Sequence, residues 1–389
     1  MSGAARRAIV IGGGPIGLLC ALLLARRAIA CVVLDARPLE QARRDARLLA
    51  LSRGTWELVT PLLGADLPPR AAIREVHVSS AGDFGATRIA ASDFDGIDLG
   101  ATVLYGDLLA ALAARVAGQP TIEVRRPATA AEVRQRPDSV DVLLSDGTAL
   151  TAELAIHAEG MSAVGADDAP ADVDDWALLA DIRLRPARDD LPDGAAFERF
   201  TRSGPLALLP TPCPLGAGTG RVLSLVWCMD GAEARRRASV ADEVLLAELQ
   251  DALGRRIGVP TAAGPRRAVP LPQRHRRQLH EHRVVALGNA AQSLHPVAGQ
   301  GFNLGVRDCV TLADELAGAD ELPDALARYA HRRAADRATI GALTGALPSV
   351  FASRFAPLAL ARGLGLALLD TAAPLRRQLA QLLMFGVRR

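Results

Sequence analysis

Residues 284–305, VVALGNAAQSLHPVAGQGFNLG, constrain this chain more than any other stretch. Four apolar residues suited to a buried strand run into a turn, then into a glycine-rich loop. The loop opens a helix that continues through Val306, Arg307 and Asp308. Small residues there let a flat ligand approach backbone, and a helix N-terminus offers unpaired N–H groups and about half a positive charge. Composition sharpens the signal, because the chain has no lysine and only two asparagines, Asn289 and Asn303, both in this segment. Asparagine kept here alone points to side-chain amides with a task.

A second cofactor element lies at the N-terminus. The strand Ala8–Ile11 leads into G-x-G-x-x-G, with Gly12, Gly14 and Gly17 in the glycine slots and Pro15 suited to a helix's first turn. The next apolar run, Cys31–Leu34, ends at Asp35, 21 residues after Gly14, where a carboxylate can accept a ribose diol. The unit binds the ADP half of a dinucleotide and does not choose between FAD and NAD. Ala8–Ala25 also forms an 18-residue run without charge, as in a signal peptide or membrane span. Three consecutive glycines and a proline in its first half argue against an apolar helix and for a strand and helix buried on both sides.

At 389 residues the chain is long enough for two intertwined domains, and a net charge of +2 gives no reason to expect nucleic acid. Five cysteines without a C-x-x-C pair read as free thiols of a reducing cytoplasm. Along the chain, residues 1–72, 101–172 and 275–340 read as three parts of a cofactor domain. Residues 73–100 and 173–274 read as the strands of a substrate domain, with one helix over Val240–Leu253, and 341–389 as a C-terminal helical region. A sheet domain inserted between cofactor pieces predicts a ligand cleft at the join.

With both cofactor segments in hand, the chain resembles the class A flavoprotein monooxygenases of the para-hydroxybenzoate hydroxylase fold, and within them the ubiquinone-biosynthesis hydroxylases. Four further stretches carry the likeness: residues 45–51 (DARLLAL), 197–210 (FERFTRSGPLALLP), 224–228 (SLVWC) and 352–358 (ASRFAPL). The resemblance implies an α/β fold: a Rossmann-like FAD-binding domain, an inserted β-sheet substrate domain and C-terminal helices. It also implies FAD, NADPH or NADH as electron donor, O₂, and hydroxylation of a polyprenylated methoxyphenol through a flavin C4a-hydroperoxide.

By motif position, Gly12, Gly14, Pro15, Gly17 and Asp35 would hold the ADP moiety, with Arg47 reaching the pyrophosphate or ribityl region. Asn289 stands where many relatives carry aspartate. Pro296, Gly299, Gln300, Gly301, Phe302 and Asn303 would border the flavin, presenting backbone N–H groups to its N1/O2 edge. Two departures stand out. The usual Asp-Gly is Glu159-Gly160 here, within residues 158–162, and the usual helix-start arginine is replaced by Tyr105-Gly106-Asp107, leaving Arg43 or Arg44 to meet a phosphate. Both departures motivate a different reading, an FAD-binding subunit of a quinone-synthesis complex without turnover. Another alternative is hydroxylation at a different ring position or of another phenol.

His295, directly before Pro296, has two readings: a residue touching the phenol or its oxygen donor, or a loop residue bonded to backbone. His275, His280 and His282 with Glu281 sit among arginines, a poor setting for a metal, so no metal site is expected. Residues 340–389 carry six arginines against Asp370. Such basic, amphipathic helices suit a membrane surface, a partner protein of ubiquinone synthesis, or packing. The expectation is a cytoplasmic protein lying on the membrane.

Overall fold

Alternate residues of the first strand, Arg7–Ile11, face opposite ways, and both faces are covered. Ala8 and Val10 point to a helical layer, Ile9 and Ile11 to a second sheet. In the computed structural model, which describes residues 7–82, 84–160, 173–186, 192–213, 215–216, 218–352 and 356–387, this strand is central to a six-stranded sheet. The order is His280–Glu281, Val284–Ala286, Leu154–His157, Arg7–Ile11, Ala30–Leu34 and Ile122–Arg125. Every neighbour pair is parallel except the edge strand His280–Glu281.

Helices Pro15–Ala25, Tyr105–Ala117, Gln300–Ala317 and Leu322–Ala352 cover one face, burying Leu18, Leu22, Leu108, Leu112, Leu312 and Tyr329. The other face packs on the antiparallel strands Ala130–Gln135, Val140–Leu144 and Ala149–Ala152. Gly17 permits the tight join of first strand to first helix, since a Cβ there would lie 1.8 Å from the Gly12 carbonyl oxygen. Residues 161–162 and 353–355, within two motifs quoted above, lie outside the described residues, as do Arg388 and Arg389.

An eight-stranded sheet forms the second layer system, with Asp175–Pro186 and Arg221–Asp230 at its middle. Its one face buries Phe197, Leu206, Leu225 and Trp227 against Leu245 and Leu249. Where one helix is expected over Val240–Leu253, there are two, Gly231–Ser239 and Asp242–Leu253. Asp230 caps the first by accepting from Glu233 N, and Val240 is extended between them. Strands Glu75–Ser80 and Ala86–Ala90 join this sheet, whereas Leu48–Ser52 and Arg70–Ile73 pair on either side of Gly100–Leu104 in a separate three-stranded sheet.

The C-terminal helices Ala356–Thr371 and Ala373–Phe385 fold back on the cofactor side, with Ser52 Oγ donating to the Met384 carbonyl at 2.8 Å. Asn303, 1% exposed, joins helix to strand: Nδ2 donates to the carbonyls of Ala50 (3.0 Å) and Gly299 (2.8 Å), and Oδ1 accepts from Ser52 N at 2.9 Å. Its side chain is spent on the fold. Asn303→Ala leaves these three backbone groups unpaired, and one buried unpaired group costs about 1–3 kcal/mol. Thermal and urea unfolding are expected to show a loss of at least that size, and wild-type stability would contradict the clamp.

Candidate FAD site

Five chain segments reach the same edge because they leave the carboxyl ends of adjacent parallel strands. These are Gly12–Gly14 after the first strand, Asp35 after the second, Arg126 after Ile122–Arg125, Glu159 after Leu154–His157, and Gly288–Asn289 after Val284–Ala286. That edge is where an open parallel sheet binds its ligand.

Asp35, 7% exposed, accepts from Gly13 N at 2.9 Å and from Arg37 N at 2.8 Å, which orients the carboxylate over the glycine turn. The Arg126 guanidinium lies 3.7 Å from Asp35 and donates to the Gly13 carbonyl. Burial pulls the Arg126 pKa down, and its Nη1 is buried with no protein hydrogen-bond partner. Sequence reasoning missed Arg126. Its signal is its position one residue past a strand beside the Asp35 strand, which the topology alone reveals.

Tyr105 opens helix Tyr105–Ala117 beside the glycine turn. A Cβ on Gly14 would come 2.8 Å from its hydroxyl. Burial raises the Tyr105 pKa, while Arg47 and Arg37 beside it act in the opposite direction. The Arg47 guanidinium lies over the Tyr105 ring, 4.8 Å from its centroid, and forms a two-pronged pair with Asp45. Burial would raise the Asp45 pKa, but the Arg47 hydrogen bonds hold it below the ordinary carboxylate range. Arg43 pairs with Glu40 at 3.5 Å and Arg44 is exposed, so Arg37, Arg47 and Arg126 supply the positive charge nearest the glycine turn.

On the ring side, Gly288 adopts φ +54 and its N–H donates to Asp308 Oδ2 at 3.1 Å. Asn289 follows, exposed. Gly299 (φ +57) precedes helix Gln300–Ala317, whose first N–H groups have no partner within the helix. Gln300 is buried and donates to the Leu383 carbonyl at 3.2 Å, and Phe302 packs on the main core. Asn289 and Asn303 therefore differ: one amide faces outward at the site, the other is internal. His295 is 6% exposed, Val297 N approaches its Nδ1 at 3.4 Å, and burial lowers its pKa. Glu159 Oε1 lies 2.7 Å from His157 Nδ1, so the glutamate that replaces aspartate is held by a buried histidine.

The residues fit FAD on three counts. Gly13 and Gly14 form a cradle that a Cβ would fill, Asp35 is placed for a ribose, and Arg126 Nη1 is orphaned beside them. The parallel sheet, the glycine turn and the inserted antiparallel sheet define a flavoprotein of the FAD-dependent aromatic monooxygenase class. The chain belongs to the FAD-binding-domain family, whose model matches residues 6–340. It is 30% identical to ubiquinone hydroxylase UbiL of Rhodospirillum rubrum over 95% of this chain and 87% of that protein. It is 28% identical to 3-demethoxyubiquinol 3-hydroxylase of Escherichia coli over 95% and 96% of the two chains. Among solved structures, p-nitrophenol 4-monooxygenase PnpA from Pseudomonas putida superposes with TM-score 0.76 at 17% identity, covering 99% of each chain. The cofactor is FAD, and NAD(P)H is the electron donor typical of the family.

Glu198 is a titratable group that sequence reasoning missed. It lies on the eight-stranded sheet opposite Ala207, and desolvation pushes its pKa up to about 8. An unfolded carboxyl titrates near about 4.3. Between these values the unfolded chain gives up its proton first, so the folded state loses stability as pH rises from about 4.3 to about 8. Glu198→Gln is expected to raise Tm relative to wild type at alkaline pH and to change it little under acid conditions. A Tm difference that is the same across pH would contradict the assignment. For the cofactor, Arg126→Ala removes a charged donor worth about 1.5–3 kcal/mol, so FAD affinity should fall roughly tenfold to a hundredfold. Unchanged affinity by isothermal titration would place Arg126 outside the ADP contact.

Proposed function

We propose that this chain is an FAD-dependent hydroxylase of ubiquinone synthesis that adds oxygen to a polyprenylated methoxyphenol, using reduced nicotinamide and O₂. One observation carries the reading. The segment with Gly288, Asn289 and the helix start at Gln300 borders both the nucleotide edge of the sheet and a cavity lined by His295 and Gln292. A bound flavin and a phenol would thus share one loop. The relatives named for ubiquinone hydroxylation support this substrate class.

In this reading Gly12, Gly14, Pro15, Gly17 and Asp35 hold the ADP moiety with Arg126, and Arg47 meets the pyrophosphate. Bound FAD would supply hydride acceptance from the nicotinamide and activation of O₂. The protein's part is positional and electrostatic. N–H groups at the start of helix Gln300–Ala317 would hold the flavin's pyrimidine edge and favour negative charge there. Pro296 and Gly299 shape the loop so that ring and phenol meet with water excluded. His295, whose pKa burial lowers, is among the polar side chains of that loop that line the cavity.

The C-terminal region contributes a surface of a different kind. Among the C-terminal arginines expected from sequence to suit a membrane, a partner or packing, Arg376 serves packing. That residue pairs with Asp93 at 3.2 Å and donates to the carbonyls of Leu369 and Asp370, which tie it into the fold. Helix Ala356–Thr371 instead exposes Leu360 (54%), Leu364 (56%) and Leu368 (55%), spaced along one face. Arg377 is exposed on the following helix. No helix among the described residues is long and apolar enough to cross a membrane. A leucine stripe beside a cation suits a lipid surface, from which a polyprenyl tail would be drawn.

Two outcomes check these assignments. A Cβ at Gly301 meets only Asn289 Oδ1, at 3.8 Å, so the fold itself tolerates a side chain there. Gly301→Val should leave the stability of the FAD-free protein unchanged while weakening FAD binding at least tenfold, about 1.4 kcal/mol. Wild-type affinity in that variant would move the ring away from this loop. Replacing Leu360, Leu364 and Leu368 by glutamine should abolish sedimentation with anionic liposomes, while Arg376→Gln should lower Tm. Unaltered liposome binding in the leucine variant would assign the stripe to something other than lipid.

A further inference from the structure

Helix Leu322–Ala352 brings more buried positive charge than negative to the back of the site. Arg333 Nε donates to Asp308 Oδ1 at 2.7 Å, and its Nη1 lies 2.8 Å from Asp336 Oδ2. Arg307 Nε donates to that same Asp336 oxygen at 2.7 Å. Arg337 Nη1 stands farther off, 3.5 Å from Asp308 Oδ2. Three guanidinium groups thus face two carboxylates, and one positive charge is left over. Arg337 has the longest ion pair of the three. It is 4% exposed, and both its Nη atoms, like those of Arg307, are buried with no protein hydrogen-bond partner. Arg337 is the one of the three that lines a cavity, where a bound anion would satisfy such donors.

Arg337 opens on a cavity of about 350 Å³ whose opposite wall includes His295 and Gln292. That volume is within the range of small-ligand sites, roughly 300–1,000 Å³. The helix wall stays low because it is made of Ala338, Gly341, Ala342 and Gly345, and a Cβ on Gly341 would come 2.8 Å from Gln292 Nε2. Val297 N–H points at His295 Nδ1, which makes Nδ1 the acceptor and Nε2 the ring's donor. The remaining charged or titratable groups here are His275 on the wall, Asp175, which acts on His295 while accepting from Gln273, and Arg276, whose Nη2 is buried without a hydrogen-bond partner. Donors and positive charge outnumber acceptors.

We propose that this cavity is an oxyanion pocket in which Arg337, assisted by His295 Nε2–H, takes the ionised hydroxyl of a phenol. The inference rests on the hydroxylase reading above and adds which form of the substrate is held and by which side chain. On binding, the phenol O–H bond breaks, the proton leaves to solvent water and the electron pair stays on oxygen. Nothing is oxidised in that step, and the ring becomes richer in electrons.

The test uses the FAD-loaded full chain and 4-nitrophenol, whose ionised form alone is strongly coloured, followed by difference absorbance across pH. Wild-type protein should bind the ionised form at least tenfold more tightly than the neutral form, lowering the apparent pKa of the bound phenol by one unit or more. Arg337→Met should erase that preference. Gly341→Leu, which fills the cavity and leaves the ion cluster intact, should abolish binding. An unshifted pKa in wild type, or full preference retained in Arg337→Met, overturns the pocket. Sodium nitrate that binds where nitrophenol does not would make it an inorganic-anion site and also overturn the proposal. Neutral binding accompanied by hydroxylated product removes the pocket alone. Failure of FAD-loaded protein to bind any phenol removes the hydroxylase reading with it.

Discussion

The hydrogen bond from Gly288 N to Asp308 Oδ2 is the contact on which the ring side of the site depends. Asp308 is fully buried, and its other oxygen is held by Arg333. The same cluster continues to Asp336, which accepts from Val387 N at 3.1 Å and binds Arg307. One ionic network therefore fixes the turn before Asn289, two long helices and the returning C-terminus together. Removing one partner of such a buried pair costs about 3–5 kcal/mol, because the other charge is stranded. The Asn303 clamp completes the frame by fastening the helix start to strand Leu48–Ser52.

The nucleotide half of the site was legible in the sequence because its physics is local. Close backbone approach demands glycine at Gly12 and Gly17, and a strand of fixed length delivers Asp35 to the sheet edge. The ring half was legible as a loop but not in its division of labour. Nothing in the spacing distinguishes Asn289, which faces outward, from Asn303, which serves the fold, since that depends on where Ala50 and Ser52 arrive from another sheet. Arg126 was invisible for the same reason: its role follows from its strand lying beside the Asp35 strand. The arginines Arg333 and Arg337 of helix Leu322–Ala352 are buried by tertiary packing, and only packing reveals the surplus charge.

Arginine takes every cationic task in a chain without lysine, and its uses divide by burial. On the surface Arg53 pairs with Glu57 at 2.8 Å, a contact of the kind worth well under about 1 kcal/mol. Inside, Arg333 and Arg307 are structural. Arg376 belongs with the structural group, since it pairs with Asp93 and donates to the Leu369 carbonyl. Helix Ala356–Thr371 exposes Leu360, Leu364 and Leu368, while Arg362 and Arg376 are held by neighbouring carbonyls and, for Arg376, by Asp93.

The central claim is that this frame holds FAD so that one atom of dioxygen enters a phenol. Its most direct test is a single incubation of FAD-loaded protein with NAD(P)H, isotopically labelled dioxygen and a prenylated methoxyphenol, followed by mass spectrometry of the product. One labelled oxygen atom in the ring, formed in step with nicotinamide consumed, is the expected result. Nicotinamide oxidation with the phenol recovered unchanged, or product oxygen drawn from water, would contradict the account.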